Sequence, residues 1–253
     1  MDNRIYGVHA VYEALASGRQ PIERIHIARD SYSGKLKEIL ELARGRGVPV
    51  RKEDPSVLDK MAQGEVHQGI IAVAGEVSYS PFELLFEAHK PLVVVLDGVE
   101  DPHNLGAVIR TAEACGVSGI MVPERHSAPL SATVGKASAG ALAHVPVVRV
   151  TNLVSAMDEL KEHGLWVIGV DTAGTQDWTS FDYSLPVALV LGGEHRGLRR
   201  LVREHCDVLV RIPMFGKIAS LNISVAAGVV LYEVVRQRSA RTRPVRKTGT
   251  PDS

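Results

Sequence analysis

Short apolar runs alternate with amphipathic stretches through the first 75 positions of the chain. Runs of apolar residues predict strands at 22–28, 48–51 and 70–74. Apolar positions with helical spacing predict one helix at 8–16 and another near 36–44. These elements together predict a small α/β unit at the beginning of the chain.

From residue 92 onward the apolar runs become longer and almost unbroken. They predict strands at 92–97, 119–123, 146–150, 165–171, 187–193 and 208–213, and helices at 105–115, 153–163, 198–204 and 221–238. Strands that are apolar on both sides are typical of sheets with helices packed on both faces. The second part is therefore predicted to be a mostly parallel α/β sheet.

The stretch between these two patterns, residues 75–88, is rich in Gly, Ser and Pro. A chain of 253 residues is long enough for one small and one medium domain. We therefore predict a first domain at 1–76, a linker at 77–90, a second domain at 91–238 and a flexible tail at 239–253.

Composition is that of an ordinary globular protein, with 45% hydrophobic and 23% charged residues. The two cysteines, Cys115 and Cys206, are far apart and have no near ligand at metal spacing. The ten histidines form no H-x-x-x-H or H-x-H pair. We therefore expect no disulfide framework and no metal site.

The beginning of the sequence lacks a basic segment followed by an apolar one, as a signal peptide would have. No run of about 18 apolar residues occurs that could cross a membrane. We therefore expect a cytoplasmic protein that is not bound in a membrane.

Charge at first argues against a nucleic-acid partner, because 29 basic residues balance 29 acidic ones. The basic residues are unevenly placed, however, since positions 236–247 contain six of them and no acid. Such a tail is as typical of a solvated, disordered chain end as of a segment that contacts RNA.

Three loops at the predicted carboxyl ends of strands are the places to search for a site. The first, 97–116, contains Asn104, Gly106 and Arg110 in an N-x-G-x-x-x-R pattern. Taken alone, Arg110 would be interpreted as a helix-surface residue in a salt bridge. His103 beside this pattern is a possible general base, although a histidine in a loop is more often incidental.

The second loop, 189–198, carries several glycines that permit a tight turn and a close approach to a ligand. It lacks the Lys-Ser/Thr pair of a phosphate-binding loop. It also lacks the dinucleotide G-x-G-x-x-G pattern, and this absence disfavours a nucleotide-dependent oxidoreductase. The third, 212–233, contains Ser220 and Asn222 at the predicted start of the last helix. Ser220 alone would suit a helix N-cap, and Asn222 inside a first turn is harder to explain by propensity.

Together these loops resemble, in order, the three motifs of the SpoU branch of the SPOUT methyltransferases, the TrmH family. The residues that carry the resemblance are N-x-G-x-x-x-R from 104, G-G-E-H-R-G at 192–197, and I-P-M with S-L-N-I-S within 212–224. Y-G-V-H-A-V-Y-E-A-L at 6–15 and H-Q-G-I at 67–70 resemble the family's substrate-binding domain, which has an L30e-like fold. His195-Arg196 and Lys217 depart from the family's usual residues, but not at its catalytic positions.

The resemblance implies a methyltransferase that uses S-adenosylmethionine to methylate ribose 2′-hydroxyls in RNA. It also implies a deep trefoil knot around the cofactor and a homodimer with its active site near the interface. The implied catalytic residues are Asn104, Arg110, Glu194, Ser220 and Asn222, and the implied cofactor contacts are Gly192, Gly193, Gly197, Ile212 and Leu221.

Arg110 would manage the charge of the reacting hydroxyl. Removing the proton of an arginine at neutral pH costs about 7 kcal/mol, so a literal base is expensive. We therefore favour a cationic Arg110 that stabilises the developing alkoxide and a neighbouring phosphate. Asn104 and Glu194 would orient Arg110 and the ribose.

The two-part layout and the stretch R-R-L-V-R-E-H-C-D at 199–207 resemble the family's enzymes that methylate a guanosine in the peptidyl-transferase loop of 23S rRNA. Motifs for a shared cofactor do not choose the nucleotide. Methylation of tRNA, or resistance-type methylation of another rRNA site, therefore stays open. An RNA-binding protein without turnover is disfavoured because Arg110, Glu194 and Asn222 are all present.

Overall fold

The first sheet of the protein has four strands and is built from the amino-terminal quarter of the chain. The computed structural model describes residues 3–18, 21–29, 34–75, 78–193 and 197–242. The strands are β1 (Asn3–Tyr6), β2 (Ile22–Ala28), β3 (Val50–Glu53) and β4 (Ile70–Ala74), and the helices are α1 (Val8–Ser17), α2 (Gly34–Gly45) and α3 (Pro55–Ala62). The strand order is β1-β4-β2-β3, and only the β2–β3 pair is parallel.

The sequence predicts the inner strands of this sheet well and the outer ones poorly. The predictions at 22–28 and 70–74 are confirmed to the residue by β2 and β4. Strand β3 lies two residues later than predicted, because as an edge strand it carries exposed Arg51 and Lys52 instead of a continuous apolar run. Strand β1 and helix α3 were not predicted. Strand β1 has only four residues and is defined by its pairing with β4, a contact that local pattern does not contain.

The second sheet has seven strands, and every described strand pair in it is parallel. Its strands are β5 (Leu92–Asp97), β6 (Gly119–Pro123), β7 (Val147–Val150), β8 (Trp166–Val170), β9 (Gln176–Asp177), β10 (Val187–Gly192) and β11 (Val208–Arg211). Their order is β7-β6-β5-β10-β8-β11-β9. The predicted parallel α/β sheet is confirmed. The two-residue strand β9 was not predicted, because it is too short to show a pattern.

Helices cover both faces of this sheet and bury its central strands. They are α4 (Pro102–Ala114), α5 (Ala132–Ala137), α6 (Leu153–Glu162), α7 (Arg200–Glu204) and α8 (Ile223–Thr242). Strand β5 shows the reason for the unbroken apolar run: Val94 and Leu96 belong to the core cluster of one face, and Val93 and Val95 to that of the other. Each buried side chain of this size contributes about 1.5–3 kcal/mol to folding.

The first sheet packs against the α5 side of the second. The Nε2 atom of His144 lies 2.9 Å from Oε2 of Glu13, and Lys136 on α5 forms an ion pair with Glu65. A cavity of about 550 Å³ separates these contacts and is lined from both sides, by Tyr6 and Lys136 among others.

The predicted domain boundaries stay predictions. No helix in the described ranges has the length and apolar character needed to cross a membrane.

One ion pair joins the end of β5 to the start of α7. The side chain of Asp97 is fully buried, while that of Arg199 is about half exposed, at 48%. The main-chain N–H of Arg199 donates to Oδ2 of Asp97 at 2.8 Å, and its Nε donates to Oδ1 at 2.6 Å. A buried carboxylate is costly unless its lone pairs are satisfied, so this pair fixes the two chain segments relative to each other.

We expect Arg199→Ala to destabilise the protein, because the buried Asp97 carboxylate would keep only its main-chain partner. The loss should be about 1–3 kcal/mol or more. Arg200→Ala is the matched control: its pair with Glu204 is exposed on both sides, and its removal should cost less than about 1 kcal/mol. Urea unfolding at neutral pH measures both losses. Equal losses for the two variants would contradict a structural role for the Asp97–Arg199 pair.

Candidate active site

A cleft of about 300 Å³ opens where β8 and β10 end and the chain enters α8. This is the carboxyl edge of the parallel sheet, where ligands of open α/β sheets bind. The five residues predicted to contact the cofactor all line it, together with Ser220: Gly192, Gly193, Gly197, Ile212 and Leu221. The structure thus brings parts of the second and third predicted motifs to one place.

Glycine is required at the turn after β10 because main chain packs directly on main chain there. A Cβ atom on Gly192 would lie 2.1 Å from the carbonyl carbon of Gly197, and one on Gly193 would lie 2.4 Å from the carbonyl oxygen of Gly98. The N–H of Gly193 donates to the carbonyl of Asp97 at 2.9 Å. A side chain at Gly193 would push the second motif away from Gly98 in the first, and one at Gly192 would force the turn itself open.

Two charged residues that the sequence analysis missed also line the cleft, Asp171 and Arg203. Nη2 of Arg203 lies 2.9 Å from Oδ2 of the buried Asp171 carboxylate, whose Oδ1 accepts the N–H of Ala173 at 2.9 Å. A signal was present, because Asp171 directly follows a buried strand at the sheet edge where sites form. Arg203 gave no signal, since its contact spans 32 positions of sequence.

The last helix begins two residues later than predicted, at Ile223 instead of 221. Asn222 is its N-cap: Oδ1 accepts the N–H of Ser224 at 2.9 Å and its hydroxyl at 2.6 Å. The interpretation of Ser220 as an N-cap is therefore wrong, and so is the placement of Asn222 inside the first turn. Ser220 is instead exposed at the wall of the cleft.

Asn104 and Asn222 join the first motif to the third. Nδ2 of Asn222 donates to Oδ1 of Asn104 at 3.1 Å, across 118 positions of sequence. Helices α4 and α8 pack side by side beyond this contact, with Gly228 of α8 beside Thr111 of α4. Helix α4 is thereby held beside the loop that lines the cleft.

Arg110 lies on the exposed face of α4, six residues or about 9 Å along the helix axis from Asn104. Within the described ranges its guanidinium has no hydrogen bond and no ion pair. The alternative that sequence left open, a surface salt bridge, therefore has no partner in this part of the chain. Glu194, the residue expected to orient Arg110, lies outside the described residues, as do His195 and Arg196.

Thiol chemistry is disfavoured on physical grounds. Burial raises the pKa of the Cys206 thiol to about 12 and also raises the pKa of Cys115, so neither carries appreciable thiolate at neutral pH. Among the described residues there is no group of three or more His, Cys, Asp or Glu side chains placed to hold a metal ion. The predicted catalytic residues within the described ranges carry guanidinium, amide and hydroxyl groups.

Comparisons with known proteins agree with this arrangement. Residues 91–232 match the SpoU rRNA Methylase family, and residues 4–80 match the family described as RNA 2′-O ribose methyltransferase substrate binding. The chain is 45% identical over 246 residues to the 23S rRNA (guanosine-2′-O-)-methyltransferase RlmB of Pseudomonas aeruginosa, covering 93% of this chain and 97% of that protein.

A second similar sequence and a similar solved structure belong to the same group of methyltransferases. YacO of Bacillus subtilis is 42% identical, covering 93% of this chain and 96% of that protein, and its name gives the TrmH family without choosing between tRNA and rRNA. The crystal structure of the SpoU methyltransferase AviRb from Streptomyces viridochromogenes with AdoMet is similar, at a TM-score of 0.81 and 29% identity, covering 94% of this chain and 90% of that one.

The predicted fold class, enzyme class and cofactor are thereby confirmed. The trefoil knot stays a prediction of the family resemblance, because strand order alone does not define how a chain threads. This chain belongs to the SpoU methylase family, TrmH type, whose members are RNA 2′-O-ribose methyltransferases that use S-adenosylmethionine.

Proposed function

We propose that this protein methylates the 2′-oxygen of a guanosine ribose in 23S rRNA, in the cytoplasm and as a homodimer. The observation that supports the nucleotide is the 45% identity to RlmB of Pseudomonas aeruginosa, which extends over almost the whole of both chains. A match confined to the methyltransferase part would have carried information about the cofactor only. Here the part matching the substrate-binding family is included, and that part is the one expected to choose the RNA.

The cleft suits S-adenosylmethionine, which supplies an electrophilic methyl group when bound. The glycine turn forms part of the cleft wall from main chain, in a close packing that a Cβ on Gly192 or Gly193 would disrupt. Ile212 and Leu221 add apolar wall, and Ser220 adds a hydroxyl at the same opening. A concave, mostly apolar pocket with a few fixed polar groups is the usual form of a cofactor site.

Arg110 would act on the ribose rather than on the cofactor. Its exposed position on α4, the helix that Asn104 connects to the loop before α8, leaves the guanidinium accessible to a polyanionic substrate. Held there as a cation, it lowers the energy of the alkoxide that forms as the 2′-hydroxyl loses its proton. Its planar donor fork also matches a phosphate of the same strand.

Arg110→Ala should lower single-turnover methylation roughly 10²–10³-fold, the usual loss when one preorganised donor to a developing oxyanion is removed. Affinity for S-adenosylmethionine, measured by calorimetry, should hardly change, since uniform binding is not affected. Arg110→Lys should restore little, because an ammonium cannot reproduce the fork. Glu113→Ala, at another exposed position of α4, is the matched control and should keep its activity.

Near-normal methylation by a folded Arg110→Ala protein would remove this residue from the mechanism. His103 would then be the next candidate for the proton.

The substrate is tested by incubating the protein with labelled cofactor and, separately, with 23S rRNA and tRNA transcripts. We expect label in 23S rRNA at one guanosine, located by resistance of the following phosphodiester to alkali, because a methylated 2′-oxygen cannot attack it. Arg110→Ala serves as the inactive control. Label in tRNA, or at another rRNA position, would favour the alternatives within the family. Cofactor binding without transfer to any RNA would indicate a binding protein.

The homodimer has support from an exposed apolar surface beside the cleft. Phe215 and Ile218 on the loop before α8 are 96% and 74% exposed. Val225 and Tyr232, seven residues apart and so on one side of α8, are 50% and 57% exposed. Large apolar groups exposed on one loop and on one side of the helix that follows it are typical of a surface that a partner covers.

Tyr232→Asp should therefore convert a dimer into a monomer, because it places a charge in the proposed interface. Size-exclusion chromatography with light scattering would measure the mass. Val57→Asp alters an exposed valine of α3 in the first sheet's domain and should leave the dimer intact. A wild-type protein that runs as a monomer at all concentrations, or a Tyr232→Asp dimer, would contradict the proposed interface.

A further inference from the structure

A continuous row of hydrogen bonds begins at Asp101, which the proposed function leaves unused. Asp101 is the N-cap of α4, and its Oδ1 accepts the main-chain N–H of His103 at 2.8 Å. Its other oxygen, Oδ2, accepts Nδ2 of Asn104 at 3.3 Å. One carboxylate thus contacts both the helix terminus and the side chain of the first motif's asparagine.

The row continues into the third motif. Oδ1 of Asn104 accepts Nδ2 of Asn222, and Oδ1 of Asn222 accepts the N–H and the hydroxyl of Ser224. The two asparagines stand between fixed ends. An ionised carboxylate can only accept hydrogen bonds, and a main-chain N–H can only donate one.

These two ends determine which way both amides point. Because Asp101 accepts, Asn104 must turn its Nδ2 toward it and its Oδ1 toward α8. Because the N–H of Ser224 donates, Asn222 must turn its Oδ1 toward Ser224 and its Nδ2 toward α4. An amide in water has no such preference, because water can donate to its oxygen and accept from its nitrogen in either orientation.

We propose that Asp101 is a positioning residue, whose carboxylate fixes the orientation of the Asn104 and Asn222 amides. It thereby holds α4, the helix that carries Arg110, against the loop before α8. The inference rests on the proposed function, because it assigns Asp101 an effect on the same reaction. Asn222 directly follows Ser220 and Leu221, which line the cleft. A flipped amide would therefore separate α4 from that loop and displace Arg110 relative to the methyl donor.

The sharpest test is Asp101→Asn, the closest possible substitution in shape. Asn is as good an N-cap as Asp, so its Oδ1 keeps the N–H of His103 and its Nδ2 then faces Asn104. Two N–H donors would then face each other. Turning the Asn104 amide by 180° would relieve this repulsion but would place its Nδ2 against Nδ2 of Asn222. Single-turnover methylation should fall roughly tenfold to hundredfold, the scale of a reactant misplaced by about 1 Å. Affinity for S-adenosylmethionine should stay within about twofold of wild type.

Asp101→Ser is the matched control, because serine also caps helices but is too short to impose a direction on Asn104. It should retain more activity than Asp101→Asn, although it is the larger change in shape. Thermal melting confirms that both variants are folded. Equal activity of the two variants, or a less active Asp101→Ser, would overturn the proposal. A wild-type protein that methylates no RNA would instead count against the proposed function.

A second measurement does not depend on activity. Asp101→Asn and Asn104→Asp should each lower the melting temperature by about 2–4 °C. In the double variant the carboxylate at position 104 accepts hydrogen bonds from the amide at position 101 and from Nδ2 of Asn222. Its melting temperature should therefore return toward wild type. Additive losses in the double variant would show that the polarity of the row has no effect and would overturn the proposal.

Discussion

The buried carboxylate of Asp97 is the contact on which the arrangement of the site depends. Its side chain takes both hydrogen bonds from Arg199, and the main-chain carbonyl of the same residue takes the N–H of Gly193. One residue at the end of β5 therefore holds the glycine turn and the start of α7 together. Because a charge in this position is tolerated only with its partners in place, the distance between the first and second motifs has little freedom.

With that distance fixed, the predicted roles in the reaction fall on different motifs. The second and third motifs form the cleft, and the first carries Arg110 on a helix beside it. The Asn104–Asn222 hydrogen bond is the contact by which the first motif meets the third. The predicted cofactor contacts and the predicted charge-stabilising Arg110 thus lie on separate segments of the chain. A substitution in one segment can then affect turnover with little change in cofactor affinity.

How much the sequence predicted depended on where the relevant contacts lie. Central strands such as β5 were predicted to the residue because burial on both faces leaves an unbroken apolar run. The glycines of the turn after β10 could be singled out because a tight turn with close main-chain packing is a local requirement. Asp97 and Arg199 were missed, since their pairing spans 102 positions. Sequence offered Ser220, taken alone, as an N-cap of α8, whereas Asn222 caps the helix, because both residue types cap helices and local pattern does not distinguish them.

A zero net charge proves compatible with an RNA substrate for a reason that only the structure supplies. Several acids are held by arginines within the fold: Asp97 by Arg199, Asp171 by Arg203 and Glu233 by Arg236. Hydrogen bonds from Arg236 keep the pKa of Glu233 below its usual range, so this carboxylate remains ionised and paired at neutral pH. In each such pair the carboxylate is buried and out of reach of a partner, whereas the arginine stays partly exposed. An RNA substrate contacts the charged groups that remain accessible at the surface. Arg110, which is exposed and has no ion pair in the described ranges, is one of them.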